Sequence, residues 1–200
     1  MNNNKNILKK NLYLGSILYS IQKQFRLTNA NTIHCNLLDM SLYIDYYSKI
    51  NKKNNLKQIT DSFYGLRDFS LNSLIKFLKK DNSIHDLILG EFPLKSEPII
   101  KINGISLFSN QALMYYLCRN LSDKGIAVFS VDSDFLISTN SKRFIRILNE
   151  SGFSVNALIQ LNLNSNGLYS PNYVLITRDS SSRFFISFSF SKTFLQISSG

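Results

Sequence analysis

Hydrophobic spacing divides the chain into a helical start, a stretch rich in Asn and Lys, and a long succession of strands and helices. Between residues 7 and 26, Leu8, Leu12, Leu14, Ile17, Leu18, Ile21 and Phe25 fall near helical spacing and predict a helix packed on one face. TIHCNLLDM (residues 32–40) predicts a short strand followed by a turn. From about 41 to 70 the apolar positions scatter among Asn, Lys and Tyr, and helical pieces joined by loops are expected. SLNSLIKFLKK (70–80) predicts a further helix, with Ser70 as its N-cap and Lys79 and Lys80 at the end where cations suit the helix dipole.

Beyond residue 84 the pattern sharpens. IHDLILG is a continuous apolar run, suited to a strand buried on both faces. In NGISLFSNQALMYYLCRNLSDKG (103–125), Leu113, Tyr116, Leu117 and Leu121 predict a helix that Gly125 ends as a C-terminal cap. GIAVFSV then reads as a strand, SKRFIRILNESG as a helix ended by Gly152, and SVNALIQL and NYVLITR as two more strands. Strands separated by helices imply crossover connections and a mainly parallel sheet flanked by helices, an α/β fold. The last two strands have only the turn-rich NLNSNGLYSP between them, so they should run antiparallel. The tail, SSSRFFISFSFSKTFLQISSG (180–200), alternates like an edge strand and ends abruptly, which would suit a truncated chain.

With 200 residues, 44% of them hydrophobic, the chain can bury one sizeable core, and its 3 Pro and 8 Gly leave no tract that would serve as a linker. One domain over residues 1–200 is expected, with an N-terminal part at 7–80, the main run of strands at 84–178 and a tail at 179–200. Cys35 and Cys118 match no metal or redox spacing and read as reduced core residues of a cytoplasmic protein. No stretch resembles a secretion signal or approaches the length of a membrane span. The net charge of +10 favours a polyanionic partner. Fifteen basic and eight acidic residues precede position 103, against eight and five after it, so most of the excess is N-terminal. Clusters such as ILKK and FLKK serve equally as solvated helix faces. His34, Cys35 and Asp39 would suggest metal or thiol chemistry, but 2 His in the whole chain cannot complete a ligand set. Asp132 and Asp134 suit a turn better than a metal pair.

Four quoted stretches, in order, carry a family likeness. DLILGEFPL resembles a strand and loop of the form DLILxNPPF; LMYYLCRNLSDKGIAVFSVDSDFL resembles the helix, Gly-led strand and loop that follow it. KRFIRILNESGFSVNALIQL and GLYSPNYVLITR resemble the last helix and the closing strand pair. Together they make residues 85–178 similar to the C-terminal half of the adenine-specific N6 DNA methylases found as methylation subunits of type I restriction-modification systems. The resemblance implies a class I methyltransferase-like sheet, S-adenosylmethionine as methyl donor, DNA as substrate and a specificity or restriction subunit as partner.

It also assigns positions. In the family loop an Asn side chain and a Pro backbone carbonyl accept hydrogen bonds from the adenine amino group, and an aromatic residue stacks on the flipped-out base. Those positions fall here on Glu91, Phe92, Pro93 and Leu94, of which only Pro93 matches, so an ordinary strand end with Glu91 in solvent stays open beside the catalytic loop. Asn36 and Asp39 fall at the acidic position that meets the adenine end of the cofactor. Lys95, Lys142, Arg143 and Arg146 become candidate DNA contacts, the last three equally a solvated helix face. No GxG occurs in the chain, so the glycine turn of a cofactor site is expected before Met1 or lost. Two functions follow: a truncated or catalytically degenerate adenine-N6 DNA methyltransferase, or a non-catalytic module of the same fold that binds DNA or a partner protein.

Overall fold

The computed structural model describes residues 32–36, 56–58, 71–92, 99–161, 172–178 and 186–190. Nine strands and three helices follow one another among them: β1 (Thr32–Asn36), β2 (Leu56–Gln58), α1 (Leu71–Leu78), β3 (His85–Glu91), β4 (Ile99–Ile102), β5 (Ile105–Phe108), α2 (Ser109–Arg119), β6 (Leu121–Val131), α3 (Thr139–Glu150), β7 (Ser154–Leu161), β8 (Asn172–Thr177) and β9 (Ile186–Phe190). Seven strands form one sheet in the order β2-β1-β3-β6-β8-β7-β9, and β4 and β5 form a separate hairpin. β2, β1, β3 and β6 are parallel. β8 is antiparallel to both β6 and β7, and β9 runs parallel to β7 at the edge.

The α/β architecture with its closing antiparallel pair matches the sequence reading, as does the edge strand in the tail. The apolar run of β3 is buried on both faces, with Leu87, Ile88 and Leu89 inaccessible. Ile88, Ala127, Phe129, Val131, Val174 and Ile176 meet a layer from the helices: Leu74, Ile75 and Leu78 of α1, Leu113 and Leu117 of α2, and Phe144, Ile147 and Leu148 of α3. Leu87, Leu89, Ile126, Val128, Tyr173 and Leu175, which alternate with them, are buried as well. Among the described residues no helix is long and apolar enough to cross a membrane.

Three expectations are corrected. The stretch 41–70 contains a strand, β2, which pairs in parallel with β1 from Thr32 opposite Leu56 to His34 opposite Gln58. Helical spacing could not reveal it, because a strand of 3 residues is shorter than one helical turn. Residues 103–108 are not helical either. Asn103 and Gly104, with φ of 50° and 80°, turn the chain between Ile102 and its partner Ile105, the left-handed conformation an Asn-Gly hairpin turn requires. Finally, α2 ends at Arg119 and Gly125 lies inside β6. A Cβ at Gly125 would come within 2.8 Å of the Leu121 side chain, so this glycine allows a close approach rather than a cap.

Local chemistry explains the helix ends. The Phe108 backbone N–H donates to Gln111 Oε1 at 3.3 Å, so the third residue of α2 reaches back to its cap. Ser138 caps α3, its Oγ accepting from the Ser141 backbone N–H at 3.3 Å. Gly152, at φ 81°, ends α3 as predicted, and the Phe153 N–H donates to the Leu148 carbonyl at 2.9 Å.

Candidate functional site

Among its four parallel strands β1, β2, β3 and β6, the chain's path through the sheet reverses at one place. From β1 it moves outward to β2, whereas from β3 it moves the other way to β6. The carboxyl ends of β1 and β3 therefore flank a topological switch point, where open α/β sheets hold their ligands. Asn36 and Glu91, the last residues of these strands, are paired in register there. Two residues singled out far apart in sequence thus end side by side.

The next residue is fixed differently. Phe92 is fully buried, its ring 5.8 Å from that of Phe129. The ring folds back over Gly90: a Cβ at that position would lie 2.6 Å from Phe129 Cδ1 and 2.7 Å from Phe92 Cε2. The Phe92 backbone N–H donates to Ser130 Oγ at 3.1 Å inside the protein, tying the end of β3 to the neighbouring strand. The Phe92 side chain is therefore an anchor of the core, and only its backbone carbonyl could take the role that the family resemblance assigns to this position. Pro93, Leu94, Lys95 and Asp39 lie outside the described residues.

Lys142, Arg143 and Arg146 are exposed on α3, which starts from the same edge of the sheet after β6. Arg146 Nε holds Glu150 Oε1 at 2.8 Å, with both side chains more than half exposed. Asp132 and Asp134 belong to the turn between β6 and α3, where their carbonyls accept from the backbone N–H groups of Phe135 at 3.1 Å and of Ile137 and Ser138 at 2.9 Å. Among the described residues no three His, Cys, Asp or Glu side chains gather as a metal site. Sequence reasoning passed over Gly90 and Ser130, whose one signal is a small residue inside or at the end of an apolar run.

Cys118 contributes no chemistry. Burial pushes its thiol far above the ordinary range, Arg178 pulling back only weakly, and a buried protonated thiol is inert. Native protein should leave Cys118 unmodified by an aromatic disulfide reagent while unfolded protein reacts; prompt native modification assigned to Cys118 by peptide mapping would contradict its burial. Because the folded-state pKa is raised, the thiol's contribution to stability is full below its unfolded value of 9.0 and is lost as pH rises above it.

The switch point has the position of an S-adenosylmethionine site but not its cradle. Such a site needs a glycine turn after the first strand so that backbone can approach the ligand. Here β1 itself stands beside β3, and LLDM follows it, with no glycine between Gly15 and Gly65. The residues present do not fit the cofactor in the usual manner.

No protein-family model and no curated protein matches the chain. Solved structures do. One, described as a class I S-adenosylmethionine-dependent methyltransferase from Listeria monocytogenes, superposes with a TM-score of 0.53 at 10% identity, over 90% of this chain and 64% of that one. The methyltransferase subunit of a type I restriction-modification system from Streptococcus thermophilus gives 0.53 at 12% identity, over 80% and 42%. A chain from a type I restriction-modification assembly gives 0.55 at 9% identity, over 86% and 43%. The chain spans less than two thirds of the length of each. At these identities the likeness establishes architecture: this chain has the class I methyltransferase-like fold.

Proposed function

We propose that the chain is a catalytically degenerate DNA adenine-N6 methyltransferase-type domain, of the kind that serves in type I restriction-modification methylation subunits, and that it binds DNA without transferring methyl groups by itself. The observation that carries this reading is the switch point at which Asn36 and Glu91 pair in register, the family-like stretch Glu91–Leu94 beginning there in the sequence. A carboxylate at position 91 still accepts hydrogen bonds from an amino group, but it brings a charge where the family has a neutral amide. Leu94 offers no π face for a flipped base. DNA would lie across the carboxyl edge, reached by Lys142 and Arg143 of α3, with Lys95 a further candidate contact by sequence alone. A specificity or restriction subunit is the partner that the type I resemblance suggests. S-adenosylmethionine is the donor this fold type uses, and the missing glycine turn is the reason transfer is not expected here.

A second reading, an active methyltransferase, is favoured by the pairing of Asn36 with Glu91 at the very place where a cofactor would sit. Titration calorimetry of the purified chain with S-adenosylmethionine separates the two. The degenerate reading expects no measurable heat from a folded sample, together with salt-dependent binding of nonspecific duplex; clear micromolar cofactor binding would favour the enzyme. A salt-independent response to DNA counts against both. The double variant Glu91→Asn, Leu94→Phe should transfer no radiolabelled methyl groups to adenine-containing DNA, because the loop is restored but the cofactor turn is not. Incorporation above background would sink the degenerate reading.

A further inference from the structure

The opposite edge of the sheet, where β3 and β6 begin and β8 ends, gathers cations from several elements. Lys79 and Lys80 follow α1, Arg119 ends α2, Lys124 lies near the start of β6, and Arg178 follows β8. Strand register explains why they meet. His85 pairs with Leu121 but Leu87 with Ile126, so residues 122–125 bulge from this edge. Ile126 in turn pairs with Thr177, which sets Arg178 beside the bulge. Lys79 Nζ and Arg119 Cζ lie 5.3 and 5.9 Å from the centre of the same Tyr116 ring, and Arg178 Nη2 donates to the Arg119 carbonyl at 3.3 Å.

The acids of this edge are engaged. Asp81 Oδ2 accepts from Ser83 Oγ at 2.7 Å and from Asn120 Nδ2 at 3.3 Å, Asp86 Oδ1 accepts from Ser122 Oγ at 2.8 Å, and Asp123 holds Arg178 at 3.3 Å. Among the described residues no carboxylate pairs with Lys79, Lys80, Arg119 or Lys124, all of them exposed. The negative end of a helix dipole accounts for Lys79 and Arg119 one at a time. It does not account for Lys124, which belongs to a strand, and like charges held this close repel one another. Two large apolar side chains are exposed at the same edge: Phe77 in the last turn of α1, 43% accessible, and Ile84 just before β3, 52% accessible.

We infer that this amino edge docks an acidic protein segment that carries apolar side chains among its carboxylates. Cations mixed with Phe77 and Ile84 suit such a segment better than a phosphate backbone, which has no apolar surface to cover them and which would meet Asp123, its side chain 90% exposed, as a repelling charge. A second copy of the chain is disfavoured, because each copy carries a net charge of +10. The edge lies across the sheet from Lys142 and Arg143 at the start of α3, so the docked segment does not compete for the surface assigned to DNA, and its docking does not depend on that assignment.

Anisotropy titrations of the full chain test this with a labelled peptide carrying Glu and Leu at helical spacing, the same peptide with Gln for Glu or Ala for Leu, and a labelled nonspecific duplex. The wild-type chain should bind the Glu/Leu peptide about tenfold tighter than either altered peptide. The triple variant Lys79→Gln, Arg119→Gln, Lys124→Gln should lose about tenfold of that affinity, as expected for three exposed ion pairs, and keep its duplex affinity within about twofold. Should that variant melt early through loss of the Tyr116 contacts, Lys80→Gln, Lys124→Gln carries the same comparison with a loss of roughly fivefold. Ile84→Ser should lose roughly threefold for the Glu/Leu peptide and nothing for the peptide with Ala for Leu. Lys142→Ala, Arg143→Ala should leave peptide binding unchanged; a loss there equal to that of the triple variant would place the peptide on α3 and overturn the inference. Equal binding of the three peptides, or none, also overturns it. Parallel loss of peptide and duplex in the triple variant would make this edge a polyanion surface instead. A wild-type dimer in sedimentation that the triple variant abolishes would assign the edge to a second copy and overturn it as well.

Discussion

Gly90→Ala is expected to destabilise the chain by about 2–3 kcal/mol, although alanine is no worse than glycine in an ordinary strand interior. The reason is local. The added Cβ would stand 2.6 Å from Phe129 Cδ1 and 2.7 Å from Phe92 Cε2, far closer than van der Waals separation, while both rings are fully buried and have no room to retreat. Displacing the Phe92 ring would also strain the bond from its backbone N–H to Ser130 Oγ, which holds the start of the candidate loop. The diagnostic measurement is a double-mutant cycle by urea unfolding with Phe92→Leu. That substitution alone costs about 1–2 kcal/mol in a packed core, but in the Gly90→Ala background it relieves the clash. The pair should therefore be more stable than the sum of the two single losses by roughly 1 kcal/mol or more. Strict additivity, with unchanged denaturant slopes, would refute the claim that Gly90 exists to seat Phe92.

The same three residues mark how far the sequence could be read. β3, β6, β7 and β8 were legible because each is built around a short apolar run, and α3 because its apolar spacing ends on Gly152. The hairpin was legible in principle: Asn103-Gly104 between IIKI and ISLF is a strong short-range turn signal, but helical spacing further along overrode it. β2 carried no pattern at all, being 3 residues held by its neighbour. At the site, sequence reasoning chose Asn36 and Glu91 but could not pair them, since their register joins positions 36 and 91 through the sheet. It assigned Phe92 to a loop by position in a motif. The ring is instead core, and what makes it so is Gly90 two residues back and Phe129 on another strand. Non-local packing of this sort leaves no trace in local periodicity.

Charge removal on α3 should weaken DNA binding unevenly along the helix, and that unevenness is the informative part. Lys142 and Arg143 lie in its first turns, next to the carboxyl edge of β6 and at the positive end of the helix dipole. Arg146 is a turn further away and already bound to Glu150 at 2.8 Å. The double variant Lys142→Ala, Arg143→Ala should lower the log-log salt slope on nonspecific duplex by nearly 2, at about 0.9 for each phosphate no longer neutralised, and reduce affinity roughly tenfold or more near 0.1 M salt. Arg146→Ala should change the slope by clearly less than about 0.9. Its neutraliser can be tested in the opposite direction: Glu150→Gln removes the opposing carboxylate and should steepen the slope. All these side chains are exposed, so the melting temperature should hardly move in any of the variants. If the double variant keeps the wild-type slope, the cations of α3 are a solvated face, and any DNA-binding surface lies elsewhere among the basic residues that give the chain its charge of +10. If the slope falls as described while the fold is intact, DNA runs past the start of α3, on the same edge of the sheet as Asn36 and Glu91.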